Sequence, residues 1–231
     1  MNQNASPYTP AEVAFRERIR EVANSGNLHA AMTLAREFHK EHPTSYVARY
    51  YYAVESGDYA CEAEISEDEK KALKEEAIRE LKALHNDPEL PENWKYSVAN
   101  EVFWFTQQHV EQYNLGIERV QSGNLGGHYS ACVGASDQAK KLLFSDRDLA
   151  LARAWAQKSV EAFGEYEKHN PTWSNINPFA ATAVAILGDT AEALRIYTDM
   201  FRKQGNAPDQ KKIDHFRSEI ASIVQAQANC M

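Results

Sequence analysis

The chain has 231 residues and a formal charge of −8, with 43% hydrophobic and 25% charged residues. That length can bury the core of one large domain or two small ones, and the composition is ordinary for a globular protein. The acidic balance argues against neutralising nucleic-acid phosphates or docking on an anionic membrane, unless a local basic groove exists.

Cys61, Cys132 and Cys230 are odd in number and lack metal or redox spacing, so they read as free thiols in a reducing compartment. The opening MNQNASPYTP has neither the basic start nor the apolar centre of a signal peptide. No apolar run approaches the ~20 residues that cross a bilayer. A cytoplasmic chain is the expectation.

Residues 1–8 are polar and predicted loose. Thr9 suits an N-cap and Pro10 the first helical position, and Phe15, Ile19, Val22 and Ala23 share a face, predicting a helix to about Asn24. Gly26 reverses the backbone, and Leu28, Ala31, Met32, Ala35 and Phe38 stripe a second helix that Pro43 stops. Thr44 starts a third helix with Val47, Tyr50, Tyr51 and Val54, and Gly57-Asp58-Tyr59 is expected to turn the chain. After Ala60–Ile65, Ser66-Glu67-Asp68-Glu69 reads as a capping box for a helix bearing Leu73, Ala77, Leu81 and Leu84.

Pro91–Gln112 reads as an aromatic-rich helix, and Tyr113–Gln121 either extends it or forms another. Ser122–Ser136 could be a loop or a close-packed helix from Gly127. Ala139–Phe144 is predicted helical, and Ser145-x-x-Asp148 heads a long helix through Tyr166 that Asn170-Pro171 ends. Ser174–Gly205 forms a second clear hairpin about Gly188-Asp189, and a last helix carries Ile213, Phe216, Ile220 and Ile223. No alternating strand pattern interrupts this. The chain reads as all-α.

The two hairpins, 10–43 and 174–205, resemble tetratricopeptide (TPR) repeats, whose unit of about 34 residues is a pair of antiparallel helices. The shared positions are Gly26, Ala31, Ala35, Phe38 and Pro43 in one, and Gly188, Ala193, Tyr197, Met200 and Gly205 in the other. Each breaker stands 17 residues after its turn glycine (26 to 43, 188 to 205). Residues 44–173 depart from the pattern. The resemblance implies a single domain over 9–231, with TPR-like hairpins stacked as a right-handed superhelix.

It also implies a concave groove, lined by the first helix of each repeat, that binds a peptide or partner protein. The matching positions are Arg16 and Arg20, then Arg49 and Tyr52, then Asn93, Trp94, Lys95 and Asn100. Their cations and amides suit acidic side chains or a C-terminal carboxylate. They lack the full Lys/Asn/Arg set of the chaperone-binding carboxylate clamp. A solvated helix face is the plainer explanation of each charge. Tyr50-Tyr51-Tyr52 must point three ways around a helix, and Tyr52 is the candidate for exposure.

Enzyme motifs are thin. Arg79-x5-His85 matches a loose helical-ribonuclease spacing but has Glu80 where a small polar residue belongs. His128 and Cys132 would share a helical face without a third orienting group. Gly123–Gly127 lacks the Lys-Ser/Thr of a phosphate loop, and His39 with His42 is too little for zinc. The reading is a non-catalytic scaffold needing no cofactor, with self-association through the terminal helix or Trp94–Phe105 also open. An enzyme or ligand-responsive regulator built on Ser122–Ser136 is the alternative.

Overall fold

Capping chemistry places most of the helix starts in the computed structural model, which describes residues 8–230. Thr9 and Glu12 close a reciprocal box at the start of α1 (Pro10–Asn24). Side chains of Asn27, Ser45 and Ser66 accept backbone N–H bonds to start α2 (Leu28–Glu41), α3 (Tyr46–Glu62) and α4 (Glu67–His85). Next come α5 (Glu92–Phe105), α6 (His109–Gln121), α7 (Gly127–Lys141), α8 (Leu149–His169) and α9 (Asn177–Leu187). The last two are α10 (Thr190–Lys203) and α11 (Gln210–Asn229). The described residues form eleven α-helices packed mostly on their sequence neighbours as antiparallel pairs. The turn glycines of the two clear hairpins, Gly26 and Gly188, take φ of 75° and 105°, where a side chain would be strained.

Several boundaries differ from the sequence reading. Gly57-Asp58-Tyr59 does not turn the chain: it lies inside α3, which runs on to Glu62. A Cβ at Gly57 would collide with the Phe105 ring, so this glycine admits a neighbour and does not break the helix. Ser45, one residue after Thr44, caps α3. His109–Gln121 is a separate helix, and Gln107 before it has φ 58°. Ser145 lies in a π-helical turn, Leu142–Asp146, and Asp148 alone caps α8 through the Leu151 N–H at 2.9 Å. Of the loose start expected for 1–8, residues 1–7 lie outside the described residues and Tyr8 is packed.

Two compact units divide the chain between Thr106 and Gln107. In the first, Ser45 Oγ donates to Glu12 at 2.6 Å, Phe15 meets Tyr51 and Tyr50 meets Trp94. These contacts pair the starts of α1, α3 and α5, so the three helices run in one direction and α2 and α4 return between them. Their core is Phe15, Ile19, Val47, Leu81, Leu84, Leu90, Trp94 and Val98.

In the second unit, α7 lies antiparallel between α6 and α8. α9 and α11 run together, joined by Gln227 donating to the Ile186 carbonyl at 2.6 Å and Thr182 to Glu219 at 3.4 Å. Alanines dominate this core.

Candidate partner-binding site

Burial of Phe15 and Ile19 fixes the rotation of α1 and leaves Arg16 at the edge of the packed face. Its guanidinium carbon lies 4.2 Å from the Tyr8 ring centroid and 5.8 Å from that of Trp94. Tyr8 meets Trp94 edge-on at 6.2 Å, and Tyr50 closes on Trp94 from α3 at 5.0 Å. Asn93 Nδ2 donates to the Tyr8 hydroxyl at 3.1 Å. Arg16, Asn93 and Trp94 thus converge on Tyr8, a residue assigned to the tail by sequence.

Cation–π contact is worth ~0.5–2 kcal/mol, the higher end when the cation is desolvated. It leaves the donors of Arg16 unused: its Nε is buried without a hydrogen-bond partner, and it makes no ion pair with any described residue. A buried donor left unmade costs ~1–3 kcal/mol. A planar fork of N–H groups held by aromatic rings can accept a carboxylate or another anion.

The other sequence candidates are distributed differently. Arg49 is drawn to α4, pairing with Glu80 and standing 4.0 Å from Asp87. Tyr52 is half-buried, contrary to the exposure expected for it. Its hydroxyl donates to Glu76 at 2.8 Å, and its ring stacks on His39 at 4.9 Å. Burial and that hydrogen bond raise its phenol above the ordinary range. Lys95 pairs with Glu92 at 2.7 Å, Asn100 is buried and donates to Glu101 at 3.2 Å, and Arg20 is exposed. Their identities suggested a shared polar surface, but neighbours on α4 and α5 engage most of them first.

Sequence reasoning missed a second cluster in this unit. Because α3 continues through Gly57, Glu55, Asp58 and Glu62 fall on one helical face at i, i+3 and i+7. Glu101 of α5 faces Asp58. Burial, reinforced by Asp58, raises Glu55 to about 7; burial, reinforced by Glu62, raises Asp58 to about 7. Burial also lifts Glu101 to about 7, with Asp58 adding to it and the Asn100 amide opposing. None of the four carboxylates has an ion-pair partner among the described residues. The available signal was the E-x-x-D-x-x-x-E spacing, hidden by reading Gly57 as a turn.

The Ser122–Ser136 segment is mostly helix α7. Cys132 is fully buried and its Sγ lies 3.3 Å from Ser159 Oγ. Burial pushes the thiol up to about 12, the opposite of an activated nucleophile. His128 is lowered by burial, and its charged neighbours are Glu165 and His169. An open depression of about 620 Å³ near Cys230 is lined by Asp146, Asp148, Arg147 and Arg153, whose charges balance.

Of the remaining motifs, His39 stacks on Tyr52, His42 meets Phe38 at a tilt, and Arg79 approaches Glu76 at 3.9 Å. Among the described residues no group of three or more His, Cys, Asp or Glu is placed to hold a metal ion. No helix among them is long and apolar enough to cross a membrane. No protein-family model, no curated protein and no solved structure matches this chain.

Proposed function

We propose that the chain is a TPR-like helical scaffold, acting in the cytoplasm, that captures an acidic peptide segment of a partner protein at the Arg16–Tyr8–Trp94 cluster. The observation that carries this reading is the buried, unpartnered Nε of a guanidinium already packed against two aromatic rings. Aromatic anchors beside an arginine are the composition of interface hot spots. The common direction of α1, α3 and α5, with α2 and α4 returning, supports a superhelical stack with these first helices along its groove. Three free cysteines support a reducing compartment. The inert Cys132 speaks against a nucleophile in Ser122–Ser136.

Fluorescence polarisation with labelled acidic peptides, and with their Gln/Asn counterparts, tests the proposal. Acidic peptides should bind the wild type preferentially. Arg16→Gln should weaken them about tenfold to a hundredfold, the worth of a charge-assisted bond of ~1.5–3 kcal/mol. Arg16→Lys should restore little, because an ammonium supplies neither the planar fork nor the ring stacking. Equal binding by Arg16→Gln, or no preference for acidic peptides, would sink the assignment.

A further inference from the structure

The second unit also sets a cation against aromatic rings, but there the cation is exposed and able to leave. Trp155 and Lys158 stand three residues apart on α8 and so share a helical face. The Lys158 ammonium lies 4.1 Å from the Trp155 ring centroid and 5.1 Å from that of Tyr113, which arrives from α6. The two rings meet at 84° with centroids 5.2 Å apart, so they form two walls of a corner. Gly134 of α7 permits the meeting. A Cβ there would stand 2.7 Å from Tyr113 N, so α6 lies close enough for its tyrosine to reach past α7 to α8.

We propose that the Tyr113–Trp155 corner is a binding site for a quaternary ammonium group, occupied by the chain's own Lys158 until such a ligand displaces it. Nothing in this proposal rests on the Arg16 reading, whose site lies in the other unit.

Ring faces attract a cation whatever its source, and the position of Lys158 marks where the charge sits. A primary ammonium is nevertheless a poor match for the corner. It is compact and strongly hydrated, and its three N–H donors find no oxygen on a ring face. Among the described residues Lys158 makes neither an ion pair nor a hydrogen bond, so its donors keep their water. A trimethylammonium group carries the same charge on methyl groups, has no N–H to satisfy and sheds its hydration more easily, so aromatic walls prefer it.

The walls are ready and the occupant is loose. Tyr113 and Trp155 are partly buried and packed against the core of their unit, which fixes their angle before any ligand arrives. Lys158 is exposed on a flexible four-carbon stem and can swing into solvent without disturbing that core. Glu161, three residues further along α8, accepts from Gln157 at 3.1 Å and has no ion-pair partner among the described residues. Its charge adds to the lift that burial gives the Tyr113 phenol, and the same charge attracts a cation entering the corner.

Proton NMR of tetramethylammonium chloride titrated with the full chain at constant ionic strength reads the site, because ring faces shift bound methyl signals upfield. Lys158→Ala should bind it about threefold to sixfold more tightly than the wild type, since an exposed cation–π contact fills the corner about two to five times as often as it stands empty. Trp155→Leu placed on Lys158→Ala should abolish the shift, and Tyr113→Leu repeats the test should that variant lose helicity by circular dichroism. Choline should bind and its uncharged tert-butyl isostere should not. A peptide bearing trimethylated lysine distinguishes the sources: binding tighter than choline assigns the ligand to a methylated protein segment, and weaker binding to a small choline-type molecule. No upfield shift with Lys158→Ala, equal affinity of wild type and Lys158→Ala, equal binding of the uncharged isostere, or binding that survives the loss of a ring in a helical variant would overturn the proposal.

Discussion

The two units use the same antiparallel pairs but close their cores with different chemistry. The unit ending at Thr106 interlocks large rings: Phe15 stacks on Phe38 at 4.0 Å and meets Tyr51 edge-on at 5.6 Å. The unit beginning at Gln107 is packed backbone to backbone. A Cβ on Gly116 would stand 2.5 Å from Ala131 N and 2.6 Å from Gly127 O, and one on Gly134 2.6 Å from the His109 carbonyl oxygen. Its buried polar groups often end on backbone, as when Ser159 donates to the Cys132 carbonyl and Ser136 to that of Phe179, each at 2.9 Å. Bulky, irregular packing leaves seams that can hold an unpaired guanidinium and a row of acids. Alanine and glycine packing buries unpartnered polar atoms too, among them His109 Nδ1 and Asn177 Oδ1. What the first unit adds is aromatic rings beside its unpaired guanidinium.

This contrast is sharpest in the response to changes of volume. Phe15→Ala should cost about 3–5 kcal/mol, through lost transfer free energy and the cavity left beneath Phe38. Amide exchange should place that loss in the first unit, and a value below about 1 kcal/mol would mean its core collapses easily. Gly116→Ala adds one methyl yet should cost about 1–3 kcal/mol, because backbone atoms of α7 must retreat. Urea unfolding with exchange read on α6 and α7 checks it, and a neutral result would break the backbone-packing account. Arg195→Ala removes a surface i,i+3 pair with the half-exposed Glu192, 2.6 Å long, and should change stability by no more than about 0.5 kcal/mol in the same assay.

Much of the fold was legible because helix signals act over three or four residues. Thr9 and Ser66 announced helix starts, Gly26 and Gly188 the hairpin turns, and the apolar stripes gave rotation. Gly57 misled for a physical reason: the same missing side chain permits a turn or a close ring contact, and only the position of Phe105 distinguishes them. Three of the four residues of the Arg16 cluster were also named from the sequence, as Arg16, Asn93 and Trp94. Tyr8 was not, since a tyrosine before the first cap looks like tail until Trp94 arrives beside it.

The sequence by itself determined an all-α chain, its hairpin turns and the composition of a polar surface on the first helices, because caps and 3.6-residue periodicity are local. Tertiary structure alone decided which of those polar groups remain unpaired. Asn93 reaches Tyr8 across 85 positions, Arg49 is claimed by Glu80 across 31, and Asp58 confronts Glu101 from another helix. Desolvation and charge depend on what is finally packed alongside, and no spacing within one helix records that.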